Sequence, residues 1–413
     1  MDEVKNILVT LSLEGKTYNV GELVMNNREI YFRYHQEFLQ SGLNISPVKL
    51  PFTNEISMAG KDPFEGLYGV FNDSLPDGWG RLLLDRNLSG RGIDIYSITP
   101  MDRLAYVGSS GMGALCYHPQ LDGKHDFDKQ LELDVIAREM KHVLKGQSTE
   151  MIEELYALGG SSGGARPKIL LGFNRDTNEL IHGYEQMPDG FEDWLIKFPS
   201  SQDNSEIAKI EYAYYQMALK AGIEMSECRL FLGESGQAYF GTKRFDRTEK
   251  GRLHVHTACG LMHDNFRMST MDYGHLMDCA FRLEKHVKAY EKVFRLAAFN
   301  VFSHNRDDHS KNFSFLMDGK GSWRMAPAYD LTFSSSAYGI HSTMVAGESR
   351  NPGEKHLLEL ARHFGMKRPE WILEQVSESI SQWRSIAKDC EISKHLVSEM
   401  ENTFNKLHKS LRK

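Results

Sequence analysis

The sequence lacks several features that would each point to a function class. Its five cysteines, Cys116, Cys228, Cys259, Cys279 and Cys390, include no C-x-x-C pair. An odd, dispersed set fits reduced thiols in a cytoplasmic protein better than a disulfide framework. No stretch approaches eighteen consecutive apolar residues, so no membrane span is expected. Met1-Asp2-Glu3-Val4-Lys5 has no basic flank leading into a long apolar run, so no secretory leader is expected either. Basic excess is missing too: 49 Lys and Arg stand against 56 Asp and Glu, a formal net charge of −7. That balance argues against the whole molecule being a nucleic-acid binder, though a local basic patch could remain. There is no fixed-period repeat and no low-complexity tract.

What is present suits a globular protein. A length of 413 residues gives a prior of two or three domains, and 41% hydrophobic with 25% charged residues supplies an ordinary core. Residues 1–120 read as a small mixed α/β unit. Strand candidates are Ile7–Leu11, Tyr18–Val24 and Ile30–Tyr34, with a turn at Asn26-Asn27. A helix is expected over Leu75–Leu88, entered through Pro76-Asp77-Gly78. A polar connector near 120–126 marks a boundary. Residues 126–247 then alternate helical and strand patterns, and beyond about residue 260 helical patterns dominate a unit spanning 248–413.

Four constellations carry chemistry. The first is Asp307 with Asn312 five residues later, followed by Asp330 after a short hairpin. Asn and Asp favour turns, but turn chemistry explains neither the interval nor the isolated second Asp. Phosphoryl transfer needs this layout: one carboxylate accepts a proton while an amide oxygen and a second carboxylate hold divalent metal against phosphates. Asp307 rather than Asp308 has the matching interval; His309 and Lys311 either contact phosphate or pack the loop. The second is Gly159-Gly160-Ser161-Ser162-Gly163-Gly164-Ala165-Arg166-Pro167-Lys168. Its backbone N–H groups can approach phosphate oxygens without side chains in the way. It fits neither the P-loop nor the dinucleotide fingerprint. Ser161 and Ser162 are potential phosphorylation sites, where a dianion would disturb the loop.

The third is Lys197, set among Leu195, Ile196 and Phe198. It reads either as an edge-strand lysine that discourages sheet pairing or as the strand lysine that pairs nucleotide phosphates. Glu206 and Glu211 are both candidates for its carboxylate partner. The fourth, Lys243-Arg244-Phe245-Asp246-Arg247, suits a hinge beside adenine or a solvated charged turn. His254, His256 and His263 lack metal-ligand spacing and read as structural.

These residues resemble the HipA family of bacterial toxin serine/threonine kinases. The resemblance covers nearly the whole chain. It runs through Asn72-Asp73-Ser74-Leu75-Pro76-Asp77-Gly78-Trp79-Gly80, Ser161–Lys168, Ile196-Lys197-Phe198-Pro199, Lys243–Arg247, Asn305–Asn312 and Tyr329-Asp330-Leu331-Thr332. It implies an α+β, bilobal protein-kinase-like fold with a small amino-terminal subdomain and a mainly helical C-terminal lobe. It implies ATP and Mg2+ as cofactors and Asp307 as catalytic base. Asn312 and Asp330 would be the metal ligands, and Ser161 or Ser162 the autophosphorylation site. ATP would be held by Gly163, Gly164, Ala165, Arg166, Lys168, Lys197, Lys243, Phe245, His309 and Lys311. Implied partners are a small helix-turn-helix antitoxin (HipB-like), operator DNA through that antitoxin, and a protein substrate such as an aminoacyl-tRNA synthetase, the glutamyl enzyme foremost. Two other readings stand beside it: a small-molecule phosphotransferase on the same fold, and a non-catalytic partner of a DNA-binding antitoxin.

Overall fold

The computed structural model describes residues 3–121, 132–160, 163–182, 187–336 and 339–411. Residues 3–121 contain an antiparallel sheet of β1 (Asn6–Leu13), β2 (Lys16–Asn26), β3 (Glu29–Tyr34), β4 (Ser57–Met58) and β5 (Leu115–His118), in the order β4-β3-β2-β1-β5. Ile7, Val9, Leu11 and Leu13 alternate along β1 and are all buried, as a strand with one face on a core requires. The two hairpins turn on Glu14-Gly15 and Asn27-Arg28, both residues of each pair having positive φ. Such pairs match the twist of the flanking strands. The second turn falls one residue later than Asn26-Asn27, because Asn26 still pairs with Glu29 across the ladder.

A second antiparallel sheet contains β6 (Lys168–Asn174), β7 (Leu180–Ile181), β8 (Phe191–Lys197), β9 (Cys228–Leu232) and β10 (Ala238–Lys243), ordered β7-β6-β8-β10-β9. The helix Ile207–Lys220 packs against β9 and β10. After a short hairpin of β11 (Arg247–Thr248) and β12 (Gly251–Arg252), strands β13 (His254–Thr257), β14 (Ser314–Met317) and β15 (Trp323–Met325) make a small third sheet. The rest of the chain is mainly helical, with Tyr273–Glu284, Lys288–Phe302 and Pro369–Ser381 surrounding a core that includes Tyr214, Phe299 and Trp383.

The cores do not follow the chain segments. Trp79, Leu83 and Leu88 of the helix Gly78–Gly90 pack with Ile136, Leu155, Trp194 and Phe231 in one core beneath the second sheet. Fully burying a side chain of this kind contributes roughly 1.5–3 kcal/mol, so the first segment is bonded into the second lobe. That helix starts at Gly78, three residues later than its apolar spacing suggests. Asp77 is in extended conformation and its side chain makes no cap to the helix. No described helix is long and apolar enough to cross a membrane.

Candidate active site

Register across the second sheet creates the first unusual feature. Lys168 and Lys197 are direct partners on β6 and β8, and both are buried. Like charges directly opposite are destabilising unless anions intervene. Two do: the Lys197 ammonium donates to Glu211 and to Asp330. Burial alone would lower the Lys197 pKa, but the Asp330 and Glu211 carboxylates outweigh it and raise it. Burial works the other way on Asp330, where Lys197 and Lys168 win and hold the carboxyl well below its usual range. Glu211 is thus the partner carboxylate. Glu206 instead accepts the backbone N–H of Ser393 at 2.7 Å. Lys168 enters none of the ion pairs found among the described residues, and burial lowers its pKa.

The segment after the helix Lys288–Phe302 supplies the acidic side of the cleft. His304 and Asp330 bracket it, both with φ near the left-handed value, at 57° and 54°. Such conformations cost energy in residues other than glycine and gather at functional sites. Asp307 lies at the surface, its side chain 59% exposed and 3.9 Å from His309. Partial burial raises its pKa against the pull of His309, and Asp330 adds to the rise. A carboxylate with a raised pKa and an open face suits proton acceptance. Asn312 donates its amide N–H to the Asp307 carbonyl oxygen at 2.7 Å, which leaves its amide oxygen for a metal.

Asp308, one residue on, is the opposite case. It is 1% exposed and accepts from the Tyr273 hydroxyl at 2.8 Å, His341 Nδ1 at 3.0 Å, and the backbone N–H groups of Ser342 at 2.8 Å and Thr343 at 3.3 Å. These bonds tie this loop to Tyr273 and to residues 341–343.

The glycine loop reaches the same cleft. Gly164 has φ of +88°, and a Cβ there would meet the Lys168 ammonium at 2.5 Å, so only glycine makes room for that ammonium. Arg166 pairs with Asp203 at 3.0 Å and lies within electrostatic reach of Asp307 and Asp330. Sequence reasoning missed one participant. Asp77, given no role at the site by its place at a helix entry and in the Asn72–Gly80 stretch, accepts the Gly164 N–H with one oxygen and the Lys311 ammonium with the other. Burial opposes its charged form, but Lys311 and the Gly164 N–H lower its pKa nonetheless. Lys311 also sits 4.7 Å from the Phe266 ring, which packs on His309 at 5.3 Å. Ser161 and Ser162 lie outside the described residues.

The hinge is arranged differently from the rest. The Lys243 ammonium bonds Glu192 at 2.7 Å. The backbone N–H groups of Lys243 and Arg244 donate to Glu227 and Asp193 carbonyls, both at 2.9 Å. Phe245 stacks obliquely on Tyr329 at 5.7 Å, beside Asp330. Asp246 is fully buried between Arg244 and Arg247 and accepts the Gly113 N–H at 2.7 Å.

Elsewhere, Ser46 Oγ, His256 and Asp73 form a hydrogen-bonded string, 3.0 Å and 2.6 Å long at its two links. Its geometry resembles a nucleophile–base–acid series, yet Ser46 and His256 are 1% and 0% exposed. Both are shut away from solvent, and the string works as a strut between the loops of the first 121 residues and β13. His254 bonds the Ile45 carbonyl and His263 accepts the Gly69 N–H, so all three histidines are structural.

The cleft residues fit a nucleotide with a divalent metal. Two facing buried lysines, Lys168 and Lys197, and Lys311 beside them offer positive charge to phosphates next to a Gly164 that carries no side chain, while Asn312 and Asp330 offer oxygen to a hard cation. Among the described residues no group of three or more His, Cys, Asp or Glu is placed to hold a metal. Magnesium typically takes only one or two protein carboxylates and completes its shell with phosphate and water.

Known proteins agree with this architecture. Residues 14–118 match the HipA N-terminal domain and residues 160–384 the HipA-like C-terminal domain. The HipA chain of the Shewanella oneidensis HipA–HipB–operator DNA complex superposes with a TM-score of 0.69 at 15% identity, over 97% of this chain and 95% of that one. Y4dM of Sinorhizobium fredii, provisionally named a kinase, is 27% identical over 158 residues, 33% of this chain. The match spans 36% of that relative's length. The fold is the kinase-like bilobal one, and the chain belongs to the HipA family.

Proposed function

We propose that the protein is an ATP-dependent serine/threonine protein kinase of the HipA type. The observation that carries this reading is the convergence of Lys197, Asp330, and the loop residues Asp307 and Asn312 on one cleft from three separate stretches of chain. Lys197, held by Glu211, presents its charge to ATP phosphates from the sheet side. A substrate hydroxyl entering opposite finds Asp307 exposed and able to accept its proton. Magnesium held by Asn312 and Asp330 would offset the charge that develops on the transferred phosphoryl group.

The family further supports the role of toxin in a toxin–antitoxin module. The Shewanella relative is solved with an antitoxin and operator DNA, which supports a HipB-like partner here, with DNA engaged through it. An aminoacyl-tRNA synthetase, the glutamyl enzyme first, is the proposed substrate. Ser161 or Ser162 is the proposed site of autophosphorylation.

The test is transfer of label from ATP in the presence of magnesium, followed by mass spectrometry of the 159–168 peptide. Asp307→Ala should reduce transfer by about 10²–10⁴-fold, the usual contribution of a general base. Undiminished label in that variant would remove Asp307 from the mechanism.

A further inference from the structure

We infer that Asp77 is a positioning residue for ATP: supplied by the segment that precedes the kinase-like lobes, it clamps the glycine loop into the cleft. The inference rests on reading that cleft as the nucleotide site. The two oxygens of Asp77 act on different elements, one on the Gly164 N–H and one on Lys311 of the catalytic loop. Those contacts span 87 and 234 residues of chain, so a single side chain cross-links three parts of the fold.

Its neighbours complete the grip. The Trp79 backbone N–H donates to the Gly164 carbonyl at 3.0 Å, and its indole N–H to the Lys168 carbonyl at 3.2 Å. Gly78 has φ of +43°, and a Cβ there would lie 2.5 Å from the Gly164 oxygen and 2.6 Å from Ala165 Cα. The two backbones are therefore in direct contact, at a place where only glycine fits. Residues 163–167 form no helix or strand of their own. Adjacent glycines there lose more freedom on ordering than any other residue, so the loop needs outside contacts to hold one shape. Residues 77–79 provide them at both ends of the 164–168 segment. Lys311, bound to Asp77, is in turn fixed over Phe266.

A carboxylate among Gly164, Lys168 and Lys311 also occupies ground where phosphate oxygens are expected. A clamp and a competitor make opposite predictions, and the clamp follows from the hydrogen bonds of Trp79 and the contact of Gly78, which a mere competitor would not need.

The test uses the full chain in three forms: wild type, Asp77→Asn and Asp77→Ala. Without nucleotide, amide hydrogen exchange over 163–168 should quicken about tenfold in Asp77→Ala, while exchange in β1 stays at its wild-type rate. With ATP, KM should rise about tenfold and kcat change much less, a loss of binding rather than of chemistry. Asp77→Asn keeps an acceptor for Gly164 but loses the charge facing Lys311; it is nearly isosteric, preserves the fold, and should fall between the other two. Loop exchange that is unchanged in both variants, or ATP binding that is unchanged or tighter, would overturn the clamp. Wild-type protein that transfers no phosphate, with the loop still loosened in the variants, would instead overturn the proposed kinase activity and leave the clamp standing.

Discussion

The cleft and the seam where the loops of the first 121 residues meet β13 hold similar side chains and use them in opposite ways. In the seam, His256, Asp73 and Ser46 satisfy one another away from solvent, and Asp246 is enclosed by Arg244 and Arg247. In the cleft, Asp307 is open, Lys168 faces Lys197 with no ion pair of its own among the described residues, and Asp330 holds a strained backbone angle. Charge that is fully satisfied fastens parts of the molecule together. Charge left partly unmet, in a fold that could have closed over it, marks where a ligand belongs.

The neighbours Asp307 and Asp308 give that contrast its sharpest test. Asp307→Ala should remove phosphoryl transfer with little change in stability. Asp308→Ala strips an acceptor from four donors, three of them on buried residues, and should cost on the order of 3 kcal/mol, measurable as a lowered midpoint in denaturant. If Asp308→Ala unfolds like wild type, the hub is not structural and the contrast fails.

A further effect should appear with pH. Burial holds His254 down to about 3 and His263 down to about 4, against an ordinary value of 6.5. Between those values the unfolded chain binds protons that the folded chain does not. Stability should therefore fall as pH drops below about 6.5, by up to about 1.4 kcal/mol per pH unit for His254. Unfolding midpoints compared at pH 7.5 and 5 check this. Equal midpoints would show that the seam histidines take up protons without opening it.

Much of the cleft was legible because its signals are local. A lysine in an apolar run and an Asp–Asn interval can be read without knowing the fold, and the bilobal order follows from the sequence of strand and helix patterns. What was not legible depended on distance. Glu206 and Glu211 could not be separated, since helix rotation against the sheet is set by packing. Asp77 looked like punctuation because its partners lie 87 and 234 residues away. Asp308 was set aside from catalysis on spacing, but its four partners come from two remote segments. Composition suggested a boundary near residue 120, but nothing local in the sequence announced the core that Trp79 shares with Ile136, Leu155 and Trp194.

The central claim is that the cleft binds ATP with magnesium through Lys197. Titration calorimetry of dephosphorylated protein tests it most directly. Magnesium-dependent ATP binding should appear in the wild type and weaken at least tenfold in Lys197→Met, consistent with loss of a charge-assisted contact. Absence of binding in the wild type, or equal binding in the variant, would contradict the account.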